Sequence, residues 1–170
     1  MADKYLHNNA GTLTEREAST VSAGAADSGK IPALDPTGRL DASMLPVGLG
    51  ADTAQVTASE ALAAGDLVNI HPAGDGAARA RKADASTTGK EAHGFVLSAA
   101  DADTAATVYF EGTDTQVTDL TPGRNYLSAS TPGGATATAP SGPGQVVQLV
   151  GYATSATALN FNSLTPIALA

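Results

Sequence analysis

Cysteine is absent from this 170-residue chain, which excludes disulfides, thiol nucleophiles and thiolate metal sites and leaves the redox compartment open. Tryptophan is absent too, and three Phe and four Tyr make up the whole aromatic content of 4%. A compact domain of this length buries about 70% of its unfolded surface. Here Ala, Val and Thr must fill it, so a thin core supplemented by oligomerisation is expected. Basic residues are scarce: nine Lys and Arg against 17 Asp and Glu give a net charge of −8 and a pI near 4.6. Such a chain repels a phosphate backbone, so nucleic acid is not an expected partner. No run approaches 18 apolar residues, and the polar start MADKYLHNNAG is no signal peptide. A soluble protein made in the cytosol, with no membrane partner, is expected.

What is present falls into two regions. Residues 1–50 contain LTEREAST, where Thr14 and Glu17 stand as a capping box would place them, predicting a short helix. After it, glycine and proline punctuate single apolar residues too densely for a helix or long strand. Ile31, Leu34, Leu40, Met44 and Leu45 are nevertheless regularly spaced between the turn signals DPTG and LDAS. This pattern predicts an extended arm, reaching on the order of 60 Å, with these five residues as anchors on a partner.

Residues 51–170 change to short β-prone runs separated by Gly, Pro and Asp turns, among them TAQVTA, LVNIH, ARARKA, HGFVLS, ATVYFE, NYLSA and QVVQLVGYA. Alternation within them places Val68 with Ile70, Val108 with Phe110, and Val147 with Leu149 opposite Val146, Gln148 and Val150. That is the pattern of antiparallel strands with one face in a core. The fold expected is all-β, a small antiparallel barrel or sandwich behind a long extended N-terminal arm. ALAAGD reads as one helical turn, and SASTPGGATATAPSGPG as a wide exposed loop around one short strand.

Chemistry is sparse. Gly24, Gly29 and Lys30 match the opening of a phosphate loop, which requires a hydrophobic strand before it and a helix after it. The preceding REASTVSA supplies only Val21 as a large apolar residue, and Ile31 and Pro32 follow. Pro32 disfavours helical angles at Ile31, so no cofactor is expected. His7, His71 and His93 stand apart, without the partner spacings of metal sites. A triad of a serine, His93 and Asp84 has no nucleophile elbow to support it. DADT at 101–104 reads as an acidic turn, because the position of a calcium loop's bidentate glutamate is Gly112. Glu111 and Asp114 read as hairpin-turn residues rather than an acid–base pair. Arg79, Arg81 and Lys82 form the one concentrated basic patch, either a charged edge strand or a polar contact to an acidic partner. The reading is of a non-enzymatic protein without a small-molecule substrate.

The succession GKIPALDPTGRLDASMLP, SEALAAGDLVNI, RKADASTTGKEAHGFVL, ATVYFEG, LTPGRNYLS and GPGQVVQLVGYATSATALNF resembles small virion proteins of tailed bacteriophages, in particular capsid decoration or cement proteins. The resemblance spans most of the chain from Gly29 onward. It implies a β-rich homotrimer on the outer surface of an assembled capsid, bracing neighbouring copies of the major capsid protein, after synthesis in the host cytoplasm. The GKIPALD-type, PG-x-x-Y-L-S and QxVGxA segments also resemble parts of phage tail fibres, so a receptor-binding tail module is the alternative. The compact decoration proteins lack an arm of this length.

Overall fold

The computed structural model describes residues 3–45 and 51–170. These fall into two compact units, one within residues 1–50 and one spanning 51–170.

The first unit opens with strands β1 (Lys4–Asn9) and β2 (Thr12–Glu17), an antiparallel hairpin pairing Lys4 with Glu17 through Asn9 with Thr12. The turn residues Ala10 and Gly11 both have positive φ, 49° and 93°, as a two-residue turn matched to the strand twist requires. The Gly11 amide donates to Asn8 Oδ1 at 2.8 Å. The expected helix is therefore a strand. Thr14 caps nothing; its hydroxyl donates across the hairpin to the His7 carbonyl at 3.3 Å.

The expected extended arm is corrected as well. Short 3₁₀ turns at Gly24–Asp27 and Ala42–Met44 reverse the chain. The Ser19 amide donates to the Ile31 carbonyl at 3.0 Å, and the Ala33 amide to Ser19 at 2.8 Å. The Ser22 amide donates to Ser43 Oγ at 2.8 Å, so residues 31–45 double back alongside residues 19–22. Aspartates set these reversals, because a short carboxylate accepts from backbone amides one or two residues on. Asp35 Oδ1 accepts from the Thr37 amide at 2.8 Å and hydroxyl at 2.6 Å, and from the Arg39 amide at 3.0 Å.

The second unit is all-β. Strands β3 (Thr53–Ala58), β4 (Leu67–Pro72), β5 (Ala78–Lys82), β6 (Gly94–Val96) and β7 (Ala105–Tyr109) close a barrel in the order β3-β5-β4-β6-β7. Only β3 and β5 run parallel. Val56, Ala58, Leu62, Val68, Ala80, Val96, Ala106 and Val108 pack together as one core. A five-stranded barrel is too narrow for a filling of large side chains, which gives the Ala- and Val-rich composition its structural reason. Between β6 and β7 a Cβ at Gly94 would stand 2.5 Å from the Tyr109 carbonyl oxygen.

The chain continues through β8 (Gly112–Asp114), β9 (Gly123–Leu127), β10 (Ala135–Thr136), β11 (Val146–Val147), β12 (Leu149–Ser155), β13 (Ala158–Phe161) and β14 (Ile167–Ala168). Five of these form a sheet ordered β10-β9-β12-β13-β8, and β11 pairs with β14. Adjacent residues of β4 and β6 serve two cores: Val68 and Val96 belong to the barrel cluster, while Leu67 and Phe95 pack with Leu127, Val150, Leu159 and Phe161 of the sheet. Phe95 stacks on Tyr109 with ring centroids 5.3 Å apart and meets Phe161 at 5.7 Å. Three of the seven aromatics, Phe95, Tyr109 and Phe161, thus meet in this second core.

Two further expectations are corrected. ALAAGD makes no helical turn, since Leu62 forms a β-bridge with Ala100 and a tight turn follows. The stretch of residues 128–144 does hold one short strand, β10, as expected, but is only partly exposed. Gly133 is buried, its amide donates to the Ala83 carbonyl at 2.7 Å, and its own carbonyl accepts from the Leu67 amide at 2.8 Å.

Candidate interaction surface

Among the described residues of the first unit none is buried. Its apolar side chains lie outside. Ile31, Leu34, Leu40 and Leu45 are exposed, and Met44 is half-buried, so the five anchor positions belong to a folded-back surface instead of a stretched arm. Two residues that the sequence reading passed over join them. Paired residues of a hairpin share a face, and the register Leu6↔Glu15, Asn8↔Leu13 puts Leu6 and Leu13 diagonally adjacent. They are 73% and 69% exposed, beside the Lys4–Glu15 ion pair. Their signal was an apolar residue on each side of the NNAG turn. The opposite hairpin face, with Tyr5, His7 and Arg16, is half-buried, and Arg16 donates to the Gly29 carbonyl at 3.5 Å.

The phosphate-loop letters have a different use. Gly24–Asp27 is a 3₁₀ turn, the bridge Ser19↔Pro32 follows it, and Lys30 Nζ bonds Asp27 at 2.7 Å. That bond, reinforced by the Ala23 amide, holds the Asp27 carboxyl below its ordinary range. Asp35 and Asp41 are lowered in the same way, first by the side chains of Thr37 and Ser43 and then by backbone amides. The folded-back surface is thus fixed by local carboxylate turns with apolar side chains left outward.

In the second unit the basic patch is engaged internally. Strand β5 lies between β3 and β4 and is no edge. Arg79 faces Asp103 at 3.4 Å and Asp75 at 3.7 Å. Arg81 donates to Asn69 Oδ1 at 3.0 Å and to the Gly89 carbonyl at 2.6 Å. Lys82 pairs with Asp66 at 3.1 Å. Two guanidiniums and an ammonium so occupied offer a partner little free charge, and exposed pairs of this kind contribute about 0–1 kcal/mol each.

The catalytic candidates are not brought together. His93 Nδ1 accepts from the Ile70 amide at 3.0 Å, whereas Asp84 accepts from the Ser86 amide at 2.8 Å and faces Lys90 at 4.0 Å. Glu111 is exposed, while Asp114 is fully buried, with Oδ1 accepting from the Gln116 amide at 2.9 Å. Burial, aided by the charge of Asp66, raises the Asp114 carboxyl above its ordinary range despite that amide. DADT forms the acidic turn expected of it. A cleft of about 400 Å³ lies among the loops at Ala64–Asp66, Gln116–Leu120 and Thr131–Ala135; its Asp66 is already paired with Lys82. Among the described residues no three His, Asp or Glu side chains gather as a metal site would need, and no helix is long and apolar enough to cross a membrane.

No family model, no curated protein and no solved structure matches the chain. The fold itself is a closed five-stranded barrel with a second β-sheet packed against it.

Proposed function

We propose that this chain is a structural protein of a tailed-phage particle, a decoration protein that binds the outside of the assembled capsid as a trimer and braces neighbouring major capsid subunits. The observation that carries the reading is the first unit: a regular hairpin and carboxylate-fixed turns, with no buried residue among those described and with leucines and an isoleucine facing out. Segments this small need a disulfide, a metal or association to be stable, and the chain has no cysteine. A partner surface over Ile31, Leu34, Leu40, Met44 and Leu45 supplies the missing core. Each half-exposed leucine that becomes covered contributes about 1 kcal/mol, too little for one copy of the unit alone. Three such units on one trimer multiply these contacts through effective concentration, and three-fold closure limits growth.

The test replaces Leu40, Met44 and Leu45 together with Asp and measures cosedimentation with capsids that lack the protein. Occupancy falls at least tenfold if these residues are the attachment surface. Unchanged occupancy removes them from that role. Binding of the parent chain to host cells or glycans, with none to capsids, would favour the tail-fibre alternative instead.

A further inference from the structure

The outer side of the second sheet has a composition unlike the rest of the molecule. No charged residue follows Arg124, and all eleven Asp and Glu of residues 51–170 lie at or before Asp119. Side chains alternate along β11 and β12: Val146, Gln148 and Val150 are buried, so Val147 and Leu149 face outward, half-buried. Directly paired residues share a face. Ile167 pairs with Val147 and Tyr126 with Leu149, which sets both on the same outward strip. The register shift between Leu149 and Gly151 keeps Val150 inside and turns Tyr152 out. The Leu164 amide donates to the Leu149 carbonyl at 2.9 Å, laying Leu164 beside the strip. Tyr152, Leu164 and Ile167 are 48%, 55% and 63% exposed.

We propose that the strip formed by Val147, Leu149, Tyr152, Tyr126, Leu164 and Ile167 is the surface through which copies of this chain associate. The occupant is chosen by charge. Each copy carries −8, so two copies repel wherever their acidic faces meet, and this uncharged strip is where they approach at least cost. An aliphatic and aromatic face without acidic residues is complementary to itself, whereas a basic partner would find nothing on it to pair with. Depletion of charge with tyrosine at the centre is the composition of an interface core. Arg124, directly opposite Tyr152 in the register and so on the same face, is exposed at that end of the strip and has the sign opposite to the net charge. The assignment rests on the multi-copy part of the proposed function and concerns residues of the second unit alone.

The test is the mass of the full chain in solution, by sedimentation velocity without capsids. The parent chain is expected at a multiple of 16.8 kDa. Tyr152→Asp and Ile167→Asp, both at exposed positions, are each expected at the single-chain mass with an unchanged circular dichroism spectrum, and Tyr152→Phe at the parent mass. A parent chain that sediments as a single copy across concentrations overturns the proposal, as does a parent-like mass for both Asp variants. Capsid cosedimentation of the same samples separates the two readings: a multimer lost in the Asp variants, from a parent that never binds capsids, supports this interface and counts against the capsid reading alone.

Discussion

Gln148 clamps the backbone of Ala92, 56 residues away in the chain. Its Nε2 donates to the Ala92 carbonyl at 2.9 Å and its Oε1 accepts from the Ala92 amide at 2.8 Å. Both residues are buried, Gln148 at 2% and Ala92 at 1% exposure. One side chain thus satisfies two backbone groups of the segment leading into β6 and ties that barrel segment to the chain between β11 and β12.

Removing that clamp leaves a buried N–H and a buried C=O without partners, the costly form of a lost hydrogen bond. Gln148→Leu is expected to destabilise the protein by about 2–4 kcal/mol. The urea midpoint of unfolding, read at constant slope, checks it. A loss below about 0.5 kcal/mol would show that the two strand systems are held together without this residue.

Gly94 is small because β6 and β7 approach one another there. A Cβ would meet the Tyr109 carbonyl oxygen at 2.5 Å and Val108 Cγ1 at 2.8 Å, one of them backbone that cannot swing aside. Gly94→Ala is expected to cost about 1–3 kcal/mol as an overpacked site, with slower-exchanging amides of β6 and β7 losing protection first. Parent-like hydrogen exchange in both strands would contradict this reading of the barrel seam.

Asp114 gives a pH dependence with a definite sign. Burial raises its carboxyl in the folded state. The stabilisation from holding that proton is fully present below the unfolded value near 3.8 and is lost as pH rises through the higher folded value. Asp114→Asn keeps an oxygen for the Gln116 amide and never ionises. Its stability relative to the parent should therefore increase between pH 3 and pH 7, measured as the difference in urea midpoints. A difference that is constant, or that falls, across this range would refute the assignment.

The alternation in QVVQLVGY was readable because strand faces repeat every two residues. Val146, Gln148 and Val150 are buried and Val147 and Leu149 turned outward, as that period requires. LTEREAST misled for a local reason. Its capping-box letters fit a helix, but the preceding Asn9-Ala10-Gly11 forms a hairpin turn with alanine at a positive-φ position, where glycine or asparagine would have announced it. Barrel closure was not readable in its details, because pairings such as Thr57 with Ala105 and Thr57 with Arg79 join residues far apart in sequence. The folding-back of residues 19–45 hangs on a few single bonds, from Ser19 and Ser22 above all, that no periodicity encodes. Of the candidate surface, the outward positions Ile31, Leu34, Leu40 and Leu45 were marked by their spacing, while Met44 is half-buried. Leu6 and Leu13 were hidden by the helix expectation, since only a hairpin register makes them neighbours.

The most direct measurement of the central claim is a cryo-EM map of capsids assembled without this protein and then incubated with the purified chain. The account predicts added density on the outer surface at repeated lattice positions, with the unit of residues 3–45 against the major capsid subunits. Capsids that remain bare at saturating protein would contradict it.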